Sequence, residues 1–179
     1  MYQTAVKILQ KVFNPNAIFK YGFNISPMYR RTTGKVIFVS EDLLTVKIEI
    51  PLNYKNKNYV GAIFGGSLFA ATDPVFMIQL INILKNNYVV WDKAACVKYK
   101  APAKEKVYAS FIFTKEEIKI IKNRVSLENE INLHKNVNLT TKQGTIIAEL
   151  DKTIYIASKE FYRKKLKARK NKKIIKMTK

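Results

Sequence analysis

Apolar residues change their spacing along the chain in a definite order, and each change predicts an element. Val6, Leu9, Val12 and Phe13 recur at helical intervals near the amino end, where no basic n-region, unbroken apolar run or small-residue cleavage site announces a signal peptide. Lys35–Val39 and Leu43–Ile50 alternate on either side of Ser40, Glu41 and Asp42, which predicts two strands around a hairpin-like turn, closed by Pro51. Tyr88–Lys100 is a long run rich in β-formers that ends at Ala101 and Pro102. Val107–Phe113 places Val107, Ala109, Phe111 and Phe113 on one face and Tyr108, Ser110 and Ile112 on the other. Thr114 and Glu117 have capping-box spacing and open a short helix expected to reach about Lys122. Ser126–Leu139 and Thr145–Ile156 supply two more strands around Lys142, Gln143 and Gly144.

Between the first two strand pairs lies Val60–Leu84, 25 residues with a single charge, Asp73. Length alone would let it cross a bilayer. A central Asp costs about 2.5–3.5 kcal/mol on insertion scales, however, and Pro74, Gln79, Asn82 and the adjacent Gly65 and Gly66 add to the mismatch. The expected element is a helix buried on nearly all sides within a soluble protein. The order is helix, two strands, long buried helix, two strands, short helix, two strands. It predicts an α+β domain over residues 1–158 with a largely antiparallel sheet wrapped around one long central helix, followed by a basic tail over 159–179.

Composition narrows the chemistry. The chain has 179 residues, a formal charge of +20, one Cys and one His, which excludes a disulfide framework and a Cys/His metal site, so no metal is expected. The cysteine count fits a cytoplasmic location. The tail carries 11 basic residues against Glu160, half of the net charge; the other half is spread over residues 1–158. Of the basic residues 28 are Lys and 5 are Arg, a usage that fits an AT-rich genome and argues against base-edge reading by Arg. Apolar residues at 161, 162, 166, 174, 175 and 177 make the tail a basic amphipathic helix when docked. An anionic membrane surface or nucleic acid is one role for it, and a solvated extension is the other.

The glycines that open the long apolar segment exclude several familiar loops. Gly61 and Gly66 have P-loop spacing, but Ser67 and Leu68 follow where a Lys and a hydroxyl are required. No Gly stands two residues beyond Ser67 to form a nucleophile elbow, and no dinucleotide fingerprint is present. What remains is a Gly pair at a helix start with an acid seven residues after the second Gly.

That arrangement, with Asn14-Pro15, the block from Asn58 to Asp73, Lys93–Pro102 and Ile154-Tyr155-Ile156, resembles the hotdog-fold acyl-CoA thioesterases of the phenylacetate-pathway type, and a sparsely characterised bacterial branch among them. The resemblance covers about residues 14–158. It implies a hotdog fold, at least a homodimer or a dimer of dimers, an acyl-CoA or related thioester as substrate, and no cofactor beyond the coenzyme A of that substrate. It implies Asp73 as general base or nucleophile, and Gly65 and Gly66 as backbone donors to the thioester oxygen. A helix amino end supplies such donors and a favourable dipole. Burial in an apolar surround would strengthen Asp73 as a base. Asn58, Phe64 and Ser67 border the implied substrate site, and Lys98, Lys100 and Lys104 stand where hotdog proteins tend to hold coenzyme A phosphates. Related enzymes often carry His or another polar residue where this chain has Phe64. Phe64 donates no hydrogen bond, which favours a second reading, a non-catalytic acyl or lipid binder. A third is a basic adaptor acting through the tail.

Each candidate also has a plainer role. Asp73 before Pro74 makes a good helix cap, so capping and catalysis both stand open. Asn58 is equally a turn former. His134 reads as a surface residue and Cys96 as a small buried hydrophobe. Trp91 and Asp92 either line a pocket or pack.

Overall fold

The computed structural model describes residues 14–177, and the side chains of 14–171. The helix expected from Val6 to Phe13 lies outside the described residues. Helices α1 (Pro15–Ile25) and α2 (Pro27–Arg31) each begin with Pro at a first-turn position, where its missing N–H costs nothing. Tyr29 at the centre of α2 is fully buried, and its hydroxyl donates to the Ala71 carbonyl at 3.1 Å, tying this segment to the core helix.

Six strands form one antiparallel sheet: β1 (Lys35–Val39), β2 (Thr45–Ile50), β3 (Tyr88–Tyr99), β4 (Val107–Ile112), β5 (Glu130–Thr140) and β6 (Ile146–Ser158), in the spatial order β1-β2-β4-β5-β6-β3. The alternation seen in the sequence sets which residues face inward. Val46, Ile48 and Ile50 of β2 and Val107, Ala109 and Phe111 of β4 are all buried, as are Leu150, Ile154 and Ile156 of β6. Strands β1 and β3 are the two edges. β3 is 12 residues long and pairs with β6 over its length, apart from a bulge between Asp92 and Ala94.

The inward face packs on the apolar segment. It is helical as α3 (Gly65–Thr72) and α4 (Val75–Leu84), followed by a 3₁₀ turn at Lys85–Asn87. Composition and length suit Gly65–Asn87 to crossing a membrane, yet half of its most apolar window is buried, and it is the core helix of this fold. Phe76 makes edge-to-face contacts with Phe111 at 4.8 Å and Phe113 at 5.5 Å between ring centres, each worth about 0.5–1.5 kcal/mol beyond burial.

Two boundaries and one burial differ from expectation. Helix α5 runs Lys115–Glu128, past the expected end near Lys122, and β5 begins at Glu130 rather than Ser126. Ile118, Ile121 and Val125 share one buried face, Arg124 pairs with Glu128 one turn on, and Asn129 ends the helix at φ +67°. Its capping box is formed as expected, with Glu117 N–H donating to Thr114 Oγ1 at 3.0 Å and Thr114 N–H to Glu117 Oε2 at 2.9 Å. Cys96, expected to be buried, is exposed, because it lies opposite the exposed Asp151 on the outer face of the sheet, whereas its neighbour Val97, opposite the buried Leu150, faces the core.

The tail is helical as α6 (Lys159–Met177). Its first turns are seated on the sheet. Trp91 stacks on Tyr155 at 4.3 Å and meets Tyr162 edge-on at 5.0 Å, while Lys165 pairs with Glu130, which also accepts from the Tyr155 hydroxyl.

Candidate active site

The loop before α3 is fixed by a residue the sequence did not single out. Asn56 is 3% exposed, and its Nδ2 donates to Thr33 Oγ1 at 2.6 Å and to the Pro51 carbonyl at 2.8 Å. Its own carbonyl accepts from Phe64 N–H at 2.7 Å, and Ile63 N–H reaches the Ala103 carbonyl at 2.9 Å. The chain therefore enters α3 on two anchors. The one hint in the sequence is the Asn53-x-x-Asn56 spacing that closes a turn: Asn53 N–H donates to Asn56 Oδ1 at 2.9 Å.

Asn58 forms the next turn. Its Oδ1 accepts from Val60 N–H at 3.1 Å and Ala62 N–H at 3.0 Å, so the carbonyl oxygen of this side chain is committed to the backbone. Phe64 occupies the cap position of α3 without making a side-chain cap. Ser67 N–H turns back to the Phe64 carbonyl at 2.9 Å, and the Ser67 side chain is half-buried. The amides of Gly65 and Gly66 take part in none of the described hydrogen bonds, and they point out of the helix start as unpaired donors do. Two aromatic rings crowd these glycines. A Cβ on Gly65 would stand 2.9 Å from the Tyr99 ring, and one on Gly66 would overlap the Phe64 ring. Phe64 and Tyr99 remain 59% and 54% exposed, so the rings form walls over the helix start with open outer faces.

Asp73 lies at the break between α3 and α4. Helix begins at Gly65 and continues through Asp73 and Pro74, both in helical conformation, and no side-chain cap is made at the start of α4. The capping role is thereby removed. The expected apolar burial is not found either: the Asp73 side chain is 43% exposed and bonded to a cation. That cation is Lys152 on β6, itself 2% exposed. Its ammonium donates to Asp73 Oδ1 at 2.5 Å and to the Asp73 carbonyl at 3.0 Å, and pairs with Asp92 Oδ2 at 3.1 Å. Desolvation by burial raises the Asp92 carboxyl above its ordinary range, with the Lys152 ammonium opposing and the Asp73 charge adding to the rise. Asp92 is a candidate in the sequence, but no local pattern joins it to Lys152, which lies 60 residues further along the chain on β6.

The remaining candidates scatter. Lys100 is engaged by Glu149 at 3.0 Å, whereas Lys98 and Lys104 are exposed and form none of the described ion pairs. His134 is exposed, as expected, with Thr153 Oγ1 3.2 Å from its Nδ1. Among the described residues no cluster of His, Cys, Asp and Glu could hold a metal ion.

An antiparallel sheet wrapped on one long helix, with a glycine pair at the helix start and a carboxylate at its kink, is a hotdog fold. The chain belongs to the family described as a domain of unknown function, DUF4442, whose model matches residues 16–156. Solved structures share the fold. A Pseudomonas aeruginosa protein of unknown function, described as a probable thioesterase, is 17% identical with a TM-score of 0.70, covering 79% of this chain and 95% of its own. A Haemophilus influenzae thioesterase is 12% identical with a TM-score of 0.57, covering 78% and 88%. A mutant Staphylococcus aureus thioesterase is 13% identical with a TM-score of 0.52, covering 74% and 99%. No curated protein matches the chain significantly.

Proposed function

We propose that this protein hydrolyses a thioester of the acyl-CoA class. The observation that carries the reading is the pairing of unbonded Gly65 and Gly66 amides at a helix start with a carboxylate, Asp73, that keeps Oδ2 outside every described hydrogen bond. The thioesterases among the structures of the same fold support the class. In this reading the amides donate to the developing oxyanion, Asp73 activates water or attacks the carbonyl to give an acyl-enzyme that water then cleaves, and the C–S bond breaks to release the acid and coenzyme A as its thiol.

Within one chain these groups cannot meet. Gly65 and Asp73 are eight residues apart on one helix, about 12 Å at a rise of 1.5 Å per residue. A thioester carbonyl touching both must therefore take the amides from one subunit and the carboxylate from another. We assign the contact to the β3 edges, which are long, unpaired on their outer side among the described residues, and able to join antiparallel across a two-fold axis. Lys98 and Lys104 would face the nucleotide phosphates of coenzyme A.

A panel of acyl-CoA chain lengths, measured for hydrolysis and for thermal shift, tests the reading. Turnover with at least one member is expected. Thermal shift with no turnover would replace it by the second reading, an acyl binder, which the Phe64 ring against Gly66 favours. The exposed basic residues of α6 suit an anionic surface, and salt-dependent retention on anionic vesicles or DNA, with and without residues 159–179, tests that role separately.

A further inference from the structure

Among the described residues, Lys152 is the one charged side chain in the buried set. It occupies an inward position of β6, between Leu150 and Ile154, both of which are fully buried. An aliphatic side chain would complete that row. A buried ion pair contributes little or nothing to stability relative to apolar residues of similar size, so stability does not account for an ammonium there. Its contacts do have a pattern. The ammonium meets three oxygens from two other elements: Asp73 Oδ1 at 2.5 Å and the Asp73 carbonyl at 3.0 Å on the core helix, and Asp92 Oδ2 at 3.1 Å on β3. The bulge between Asp92 and Ala94 sits where β3 presents Asp92 to this cluster, as bulges beside active sites often do. Asp92 Oδ1 is buried and has no hydrogen-bond partner among the described residues.

We propose that Lys152 and Asp92 are positioning residues for Asp73: the ammonium pins one carboxylate oxygen and the carbonyl of Asp73 at the helix kink, and Asp92 in turn holds the ammonium, so that Asp73 Oδ2 alone faces the substrate. The proposal rests on the thioesterase reading for its kinetic consequence. Its geometry is independent of that reading. Holding both the side chain and the backbone of Asp73 fixes the direction of Oδ2 at a place where Pro74 removes the N–H that would otherwise bond the Ala70 carbonyl. The charged groups facing Asp92 are Lys152 from β6 and Asp73 from the core helix.

The test compares Lys152→Met, Asp92→Asn and Asp73→Asn in the full chain. Acyl-CoA hydrolysis gives kcat and KM, and a ¹³C NMR titration of the Asp92 carboxyl gives a readout that needs no turnover. Lys152→Met is expected to lower kcat about 100-fold with KM changed less than about twofold. Asp92→Asn, whose amide oxygen still accepts from Lys152, is expected to lower kcat less. The Asp92 midpoint should rise in Lys152→Met and fall in Asp73→Asn, because Lys152 holds it down and Asp73 pushes it up. Opposite displacements are not expected of residues that merely fill space. A folded Lys152→Met protein with wild-type kcat, or an Asp92 midpoint common to the wild type, Lys152→Met and Asp73→Asn, overturns the proposal. Should Lys152→Met fail to fold, the effect of Asp73→Asn on Asp92 and that of Asp92→Asn on kcat decide in its place. A wild-type protein that hydrolyses no acyl-CoA overturns the thioesterase reading alone, and the titration of Asp92 then decides the positioning role.

Discussion

The Phe64 ring lies so close over Gly66 that a side-chain carbon at position 66 would overlap it. The ring is largely exposed and can swing aside, and Ala favours a helix over Gly by about 1 kcal/mol. Gly66→Ala is therefore expected to stay folded with a Tm within a few degrees of wild type. Hydrolysis should nonetheless fall by about 10²-fold or more, since the new methyl and the displaced ring fill the space in front of the helix amides. Calorimetry beside acyl-CoA kinetics checks both halves, and full activity in this variant would remove the amides from the mechanism.

Asp73→Asn keeps an oxygen for the Lys152 ammonium and removes the charge. The expected outcome is a loss of turnover of about 10²–10⁴-fold with little change in Tm. Unchanged hydrolysis would end the assignment of Asp73.

Phe76 packs edge-to-face on Phe111 and Phe113 and is 1% exposed. Phe76→Ala should cost about 3–5 kcal/mol, read as a lower urea midpoint at unchanged slope. A loss below about 1 kcal/mol would mean that the core collapses around the cavity.

Acid sensitivity follows from Glu117. Burial pushes its carboxyl up, but the Lys135 ammonium at 2.8 Å, the Thr114 amide and the Lys135 charge outweigh that and hold it below its ordinary range. A carboxyl depressed in the folded state contributes stability that is fully present above its unfolded value near ~4.3 and is lost as pH falls through the folded value. Tm should thus decline between about pH 5 and pH 3, and Glu117→Gln, which can still complete the capping box, should flatten that decline. Thr114→Ala should cost about 1 kcal/mol at every pH in that range.

Cys96 is exposed on the edge strand β3, and β3 pairing in a dimer would set the side chains of a partner strand beside it and narrow access to the thiol. Its thiol is expected to react slowly with a disulfide reagent at high protein concentration and faster on dilution, with a parallel fall in mass by light scattering. A concentration-independent rate would place the subunit contact elsewhere.

Much of the fold was legible in the alternation of the strands. Val107, Ala109, Phe111 and Phe113 faced inward as their parity required, and the capping box at Thr114 marked the start of α5. Its end was not legible: Val125, Ser126 and Leu127 look like a strand start, but the buried stripe of Ile118, Ile121 and Val125 carries the helix onward. The glycine pair and Asp73 were legible as a spacing, though whether Asp73 capped a helix depended on where that helix began. Lys152 left a trace in the sequence, since Leu150, Lys152 and Ile154 share one parity and a cation in that row requires a partner. Which carboxylates would meet it depended on the crossing of β6, β3 and the core helix, a relation that local patterns do not encode.

Trp91 is the only tryptophan in the chain, and it is wedged between Tyr155 of the sheet and Tyr162 of the carboxy-terminal helix. Its neighbour Asp92 reaches the Lys152 ammonium. One intrinsic fluorophore therefore sits between the basic helix and the carboxylate cluster. Emission from this indole will redden and lose its tyrosine neighbours whenever the helix lifts from the sheet, so the docking of the tail can be followed optically, without a label, as anionic surfaces or thioesters are added.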